Sequence, residues 1–441
     1  MKWPSLRCVA SVALCRKAHV FKQWDTSTAF LYADLEPGTE CFVRVPSELG
    51  DFIGEASPYW KILKSAYGLP SAPREFQRHV GRTLRKCKMV PSKVDPNIFV
   101  RTRGDEFLYI CTWVDDFAIF SNSTPLYEEV KKMYFETYQC SEEDLRYLLG
   151  VHIEISTDHN SIKIHSRKQI EKILAKFGTP SRGSLVPATS EFADLANIPL
   201  PEVGSEEYLL LRERALRYRS LVPSILYVAT TTRPDITYAV GMLCRALDNP
   251  SEKHLQGAET LLSYLAGTST VGVTWNSTNT FELSARYSPL KNGLVSLSDS
   301  DWSTGKSISG FVLFMGGGPI VWASKRQPVT SLSSTEAEYY AASTCGTEVL
   351  YVRYHLHDLG VPETSPTTML IDNSACVSLG KNFGTCKRAK HIDRRINFLN
   401  DYVDMGEIKL QYVPTKDNIA DIFTKPLDKV RFSLLRSSLV S

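Results

Sequence analysis

A chain of 441 residues, 43% hydrophobic and 22% charged, is long enough for roughly three domains with ordinary cores. Its net charge of +3 neither demands a polyanionic partner nor forbids one held by local basic patches. Ten cysteines without CxxC or Cys/His zinc spacing exclude a disulfide framework and a structural zinc, and no apolar run approaches the ~20 residues of a membrane span.

Cys8 to Cys15 is too short for a signal segment and reads as part of a core helix over residues 5–19. Val20 to Leu31 reads as a strand ending in Asp25, followed by a helix-like turn. Cys41 to Pro46 suggests a short strand. Pro70 and Pro73 mark a break, after which Arg74 to Lys86 has helical periodicity. Phe107 to Phe120 is an apolar run, two acids and a second apolar run. In the first run Tyr109, Cys111 and Trp113 alternate with Ile110, Thr112 and Val114, which predicts a hairpin with Asp115-Asp116 at its tip. Leu126 to Tyr138 reads as an amphipathic helix. Leu145 to Ile155 and Ser161 to His165 read as paired strands, completing an α+β layer.

Gln169 to Phe177 is a short helix, and the Gly-, Ser- and Pro-containing stretch 180–206 reads as a linker. Helices follow around Tyr208–Ala229, Ile236–Leu247 and Lys253–Gly267. From Gly293 the pattern becomes strands at Val295–Ser298, Gly310–Phe314 and Ile320–Ser324, then a long helix over Thr335–Leu359. A strand at Met369–Asp372, a helix at Asp393–Met405, a strand at Ile408–Val413 and a short helix from Asn418 complete a second α/β domain.

Two sets of acids stand out. If the strand ending at Asp25 lies beside the Asp115-Asp116 hairpin, three carboxylates converge on one sheet edge, a hard-oxygen set that suits Mg²⁺ and substrate phosphates. Asp299 and Asp372 at strand ends, with Glu338 and Asp421 on helices, repeat that logic with water as the nucleophile. Asp301, Glu336 and Asp417 read as their solvated neighbours.

Several motifs resemble the reverse transcriptase and ribonuclease H region of copia-type LTR retrotransposon pol polyproteins. They are Gln23-Trp-Asp25-Thr-Ser-Thr-Ala-Phe-Leu31, Lys64-Ser-Ala-Tyr-Gly-Leu-Pro-Ser-Ala-Pro-Arg74, Val114-Asp-Asp116 and Leu148-Leu-Gly150. Tyr218-Arg-Ser, Thr232-Arg-Pro-Asp-Ile-Thr-Tyr-Ala-Val240 and Gly267-Thr268 are similar to the connecting region. Leu332-Ser-Ser-Thr-Glu-Ala-Glu-Tyr339, Lys390-His-Ile-Asp393 and Ala420-Asp-Ile-Phe-Thr-Lys-Pro-Leu427 are similar to the nuclease. The resemblance runs nearly the full length in the family's order.

It implies a palm with partial fingers (1–155), a helical thumb and connection region (156–290, linker near 180–206) and an RNase H-like α/β domain (291–441). It implies a nucleotidyltransferase that copies RNA into DNA and an endonuclease that cuts RNA in RNA–DNA hybrids. Asp25, Asp115 and Asp116 would be polymerase metal ligands; Asp299, Glu338, Asp372 and Asp421 would be nuclease ligands. Each site would take two Mg²⁺, or Mn²⁺. Phe30 would be the steric gate against a ribose 2′-hydroxyl, with Tyr67 and Gly68 beside the dNTP. Arg74, Leu149, Gly150, Lys387, Arg388, Lys390 and His391 would touch nucleic acid, His391 without a catalytic part. The implied partners are RNA template, DNA primer, hybrid, dNTPs and other pol products, with no membrane. The implied location is cytoplasmic, in a virus-like particle, or nuclear.

Some positions depart from the family pattern. Trp113 stands for the usual Tyr, Ser27 for Lys and Ser71 for Gln, and the Trp302–Gly310 turn is short. Only Met1 to Lys22 precede the first motif where the family carries more fingers. The alternative expectation is therefore a truncated remnant that keeps only hybrid cleavage, or only nucleic-acid binding.

Overall fold

Helix α1 (Trp3–Cys15) is a core helix, with every residue from Ser5 to Leu14 buried. The computed structural model describes residues 1–49, 59–181, 183–277, 280–281, 290–291, 293–302, 305–379 and 390–441. They form two units: Met1 with residues 18–145, and residues 2–17 with 146–441.

In the first unit, β1 (Val20–Thr26) is followed by a separate antiparallel pair, β2 (Phe42–Arg44) and β3 (Tyr59–Lys61). Then come α2 (Ala72–Lys86), β4 (Val90–Pro91), β5 (Ile98–Arg103), β6 (Glu106–Trp113), β7 (Asp116–Ser121), α3 (Thr124–Phe135) and β8 (Cys140–Asp144). The main sheet has the order β4-β5-β6-β7-β1-β8. Helix α2 forms because Ala72, Phe76, Val80 and Leu84 recur every fourth residue and are all buried, with Pro73 in the first turn. The Ser123 hydroxyl accepts from Leu126 N at 3.3 Å and starts α3. Trp24 is fully buried in this core; it stacks on Tyr134 with ring centroids 5.2 Å apart and donates to Tyr127 Oη at 3.1 Å. Because side chains alternate along a strand, anchoring Trp24 inside turns Asp25 to the other face.

In the second unit, β9 (Tyr147–Leu148), β10 (Val151–Ile155), β11 (Ser161–His165) and β12 (Val273–Asn276) make a four-stranded antiparallel sheet. The helices are α4 (Arg167–Phe177), α5 (Glu206–Thr231), α6 (Thr237–Leu243) and α7 (Glu252–Ala266). Strand β12 is absent from the sequence reading because four residues carry too little alternation to register. The 180–206 stretch holds a 3₁₀ turn, Ser190–Asn197, whose Phe192 and Leu195 are buried.

A two-residue pairing, β13 (Thr280–Phe281) with β14 (Leu290–Lys291), precedes a five-stranded sheet. That sheet comprises β15 (Val295–Ser300), β16 (Ile308–Met315), β17 (Gly318–Arg326), β18 (Thr367–Ile371) and β19 (Ile408–Tyr412), in the order β17-β16-β15-β18-β19. Strands β15, β18 and β19 are parallel, and β16 and β17 antiparallel. Helix α8 (Ser334–Asp358) packs on β15 and β16; α9 (Ser374–Leu379), α10 (Lys390–Asp404) and α11 (Lys429–Arg436) follow. The strands, long helix, strand, helix and strand expected from Gly293 onward are present in that order, with a short helix, α9, added after β18.

Two buried guanidinium groups tie the second unit together. Arg7 donates to Ile320 O at 2.7 Å, Thr230 O at 2.8 Å and Thr231 O at 3.0 Å, and lies 3.7 Å from the Trp322 ring centroid. Arg233 grips both oxygens of Asp235 at 2.8 Å and donates to Thr268 O and Oγ1 at 2.8 and 2.9 Å. Tyr264 Oη donates to Asp235 Oδ2 at 2.6 Å, and Arg436 lies 3.6 Å from that oxygen. Burial alone would raise the Asp235 pKa; Arg233, Tyr264 and Arg436 outweigh it and hold the carboxyl below its ordinary value. The Thr232-Arg-Pro-Asp and Gly267-Thr268 segments meet here. Among the described residues, no helix is long and apolar enough to cross a membrane.

Candidate active sites

Strands β1 and β7 are antiparallel neighbours, and their register sets Asp25 directly opposite Asp116. The hairpin between β6 and β7 turns on Val114 and Asp115, with Trp113 paired to Asp116. The left-handed position falls on Val114 (φ 56°) and not on either acid, an unfavourable conformation for a β-branched residue. A hydrogen bond of 3.1 Å from Thr26 N to Asp115 O fastens the turn to the end of β1. The three acids therefore share one edge. Burial first, then Asp115 and Glu143, push the Asp25 carboxyl upward; burial, then Asp115 and Asp25, do the same to Asp116.

Phe30 lies in a 3₁₀ turn (Ala29–Tyr32), half-buried, with its ring centroid 4.7 Å from that of Tyr67 and 6.3 Å from that of Phe76. Gly68, beside the exposed Tyr67, has φ 98°, a value that favours glycine. Arg74 is exposed and paired with Glu36 at 2.8 Å. In the second unit Leu149 (φ 50°) and Gly150 (φ 85°) form the β9–β10 turn, and Tyr227 Oη donates to Leu149 O.

The second acid set is tighter. Among the described residues, Asp299, Glu338 and Asp372 are the only three potential ligand side chains whose atoms lie within 4.8 Å of one another. Asp299 is in β15, 2% exposed, and Asp372 follows the end of β18. Glu338 is on α8, 6% exposed; its Oε1 accepts from Ser300 N at 3.2 Å and its Oε2 is buried without a partner. Three hard oxygen donors with a buried oxygen unpaired suit a small divalent cation.

Asp421 corrects the sequence reading in one respect: it sits in a 3₁₀ turn (Ile419–Phe423) before α11, not on a helix. Its carboxylate is paired with Lys425 at 2.7 Å and with Arg431. The turn lies tight against β16 at Gly310, where a Cβ would come within 2.7 Å of Phe423 Cβ and Thr424 Cγ2. Gly310 is the register partner of Asp299, so the close approach brings Asp421 to the acid cluster.

Two of the supposed solvated neighbours have structural work. Ser333 Oγ caps α8 by accepting from Glu336 N at 3.1 Å, and Glu336 reaches back past the cap to accept from Leu332 N at 2.8 Å. Asp301 is half-buried and accepts from Ile308 N across the loop. Lys387 and Arg388 lie outside the described residues, as does part of the Trp302–Gly310 turn. Lys390 and His391 begin α10. Arg395, which ends the same basic stretch, donates to Tyr340 Oη at 2.8 Å and stacks 3.7 Å from its ring centroid, two residues from Glu338. Thr424, Lys425 and Arg431 had no assigned part; the i,i+4 spacing of Asp421 and Lys425 was their signal.

Crowding of acids has a stability consequence. Burial first, then Asp299 and Asp372, push the Glu338 carboxyl from its ordinary 4.5 up to about 9. Over that window the folded chain holds a proton that the unfolded chain has lost, so stability falls as pH rises. Glu338→Gln should flatten this fall and stabilise the chain at pH 8, read by urea unfolding in metal-free buffer from pH 5 to 9. An unchanged pH slope would contradict the assignment.

Residues 1–189 match the family model described as reverse transcriptase (RNA-dependent DNA polymerase). Over its whole length the chain is 31% identical to a retrovirus-related Pol polyprotein from transposon RE1 of Arabidopsis thaliana, of which it covers 28%. It is 27% identical over 99% of its length to that from transposon TNT 1-94 of Nicotiana tabacum, of which it covers 32%. A putative transposon Ty5-1 protein of Saccharomyces cerevisiae is 30% identical and is covered completely by 74% of this chain. The chain thus spans about a third or less of the two plant polyproteins.

Proposed function

This chain belongs to the reverse transcriptase family of copia-type retrotransposon Pol proteins, and we propose that it carries both RNA-directed DNA polymerase and ribonuclease H activities. The observation that carries the reading is the placement of two carboxylate sets at strand ends: Asp25 opposite Asp116, and Asp299 grouped with Glu338 and Asp372.

In the first unit Asp25, Asp115 and Asp116 hold Mg²⁺. Phe30 and Tyr67, whose rings touch, form the floor for the dNTP sugar and base, with Phe30 excluding a 2′-hydroxyl. Arg74 and the Leu149-Gly150 turn serve RNA template and DNA primer. In the second unit Asp299, Glu338, Asp372 and Asp421 hold Mg²⁺ or Mn²⁺, two ions to the site. The hybrid's phosphates bind through the basic residues Lys387, Arg388, Lys390 and His391, with Arg395 and Tyr340 taking part. Bound divalent ions activate the attacking oxygen and stabilise the leaving one in both reactions. The protein's own part is positioning. Trp24 fixes the strand that presents Asp25, and the Ser333 cap fixes the helix that presents Glu338.

The test is a labelled DNA primer annealed to an RNA template, incubated with the full chain, dNTPs and Mg²⁺. The expected result is an extended primer and a shortened RNA. Cleavage without extension would remove the polymerase half of the proposal. A folded chain that does neither in Mg²⁺ or Mn²⁺ would overturn it.

A further inference from the structure

Lys425 enters the Asp299 site from the segment that carries Asp421. Its Nζ lies 2.7 Å from Asp421 Oδ1 and 3.6 Å from Asp299 Oδ2. Arg431 pairs with the other oxygen of Asp421, and Thr424 Oγ1 donates to the same Asp299 oxygen that faces Lys425. The acids are therefore unequal. Asp421 and one oxygen of Asp299 are met by cations of the chain itself, although Asp421 Oδ1 has Lys425 only as an ion-pair partner and accepts no hydrogen bond. Among the described residues, no ion pair joins Glu338 or Asp372 to a basic side chain, and Glu338 Oε2 is buried and unpartnered.

We propose that Lys425 is a built-in cation of this site, holding the place between Asp299 and Asp421 that a second divalent ion would take. This deepens the nuclease reading above and rests on it. A first ion binds through Asp299, Glu338 and Asp372, whose atoms already converge. A second ion shares oxygens with the ammonium and has to displace it, because two cations cannot be held by one oxygen pair without strong repulsion. Displacement is sterically available: the Lys425 side chain is 38% exposed, and a lysine is a point charge on a flexible four-carbon stem. Arg431 stays on Asp421 Oδ2 through one terminal nitrogen that also donates to Thr415 O, so that acid keeps a cation while Lys425 leaves. The site would therefore load its ions in sequence, the first on three acids and the second only when the lysine swings out.

The experiment is a manganese titration followed by electron paramagnetic resonance of the free ion. It uses the full chain with Asp25→Asn and Asp116→Asn, so that bound ions belong to the Asp299 site. With Lys425 present, one Mn²⁺ should bind well before a second. Lys425→Met should tighten the second ion by about tenfold or more, while Lys425→Arg should not. Asp421→Asn should leave the first ion within about threefold, whereas Asp372→Asn should weaken it by more than about tenfold. Circular dichroism checks the fold of each variant; if Lys425→Met does not fold, the Asp421→Asn and Asp372→Asn pair still decides. Two equally tight ions with Lys425 in place, or equal weakening by Asp421→Asn and Asp372→Asn, would overturn the role of Lys425 alone. A folded chain that binds no Mn²⁺ would overturn the metal-site reading as well.

Discussion

Asp116→Asn is expected to abolish primer extension while hybrid cleavage persists, and Asp299→Asn is expected to do the reverse. Asparagine keeps the shape of the side chain and can still accept a hydrogen bond, but it loses the anionic oxygen that a hard cation needs. Several kcal/mol of transition-state stabilisation go with it, a rate loss on the order of 10³-fold in either reaction. Neither loss should come from unfolding. In Asp116→Asn, burial and repulsion from Asp115 and Asp25 are relieved; in Asp299→Asn, relief of burial and of repulsion from Asp421 and Asp372 outweighs the lost attraction to Lys425. In Asp299→Asn, Thr424 can still donate to the amide oxygen in place of the carboxylate it meets now. Both reactions should be followed on the same preparations, with thermal melts as the control. A folded Asp299→Asn chain that cleaves the hybrid at the original rate would sink the nuclease assignment, and undiminished extension by Asp116→Asn would sink the polymerase one.

Arg233→Met should be the most damaging single change to the second unit. Arg233 and Asp235 are both fully buried, and the arginine supplies two hydrogen bonds to the carboxylate and two to Thr268. Without it, Asp235 keeps Tyr264 and a more distant Arg436. Leaving a buried charge poorly paired costs about 3–5 kcal/mol, a large share of a domain's stability. Replacing both partners by apolar residues of similar size should recover much of that loss. Urea unfolding of Arg233→Met and of Arg233→Met/Asp235→Leu gives the comparison. A single variant within about 1 kcal/mol of the parent would mean that the pair is not what holds these segments.

Much of this was legible in the residues, and the exceptions have physical causes. Asp25 could be set beside Asp116 because each borders an alternating apolar run, and period-two patterns survive in sequence. Glu338 was set above its neighbour Glu336, which was read as merely solvated; the different faces of the two acids on one helix make Glu336 part of the cap, a role that residue type does not reveal. Asp421 was assigned a helix because a five-residue 3₁₀ turn has no distinguishing period. Val114 gave no hint of its left-handed backbone, because β-branched residues normally avoid it. Arg7's place was not legible at all. Nothing in its local sequence marks it, because its donors are satisfied by carbonyls that lie more than two hundred residues away in sequence.

That last contact bears on the order in which the chain is made. Helix α1 belongs with residues 146–441, yet residues 18–145 are synthesised between it and all of its partners. All residues of the first unit have been made once β8 and Leu145 have emerged. Helix α1 gains its first cover when β11 and β12 emerge, but its contact with β17, 313 residues beyond Arg7 at Ile320, forms only when that strand leaves the ribosome. Closing so long a loop costs only logarithmically more entropy than closing a short one, so the delay weighs on folding time far more than on final stability.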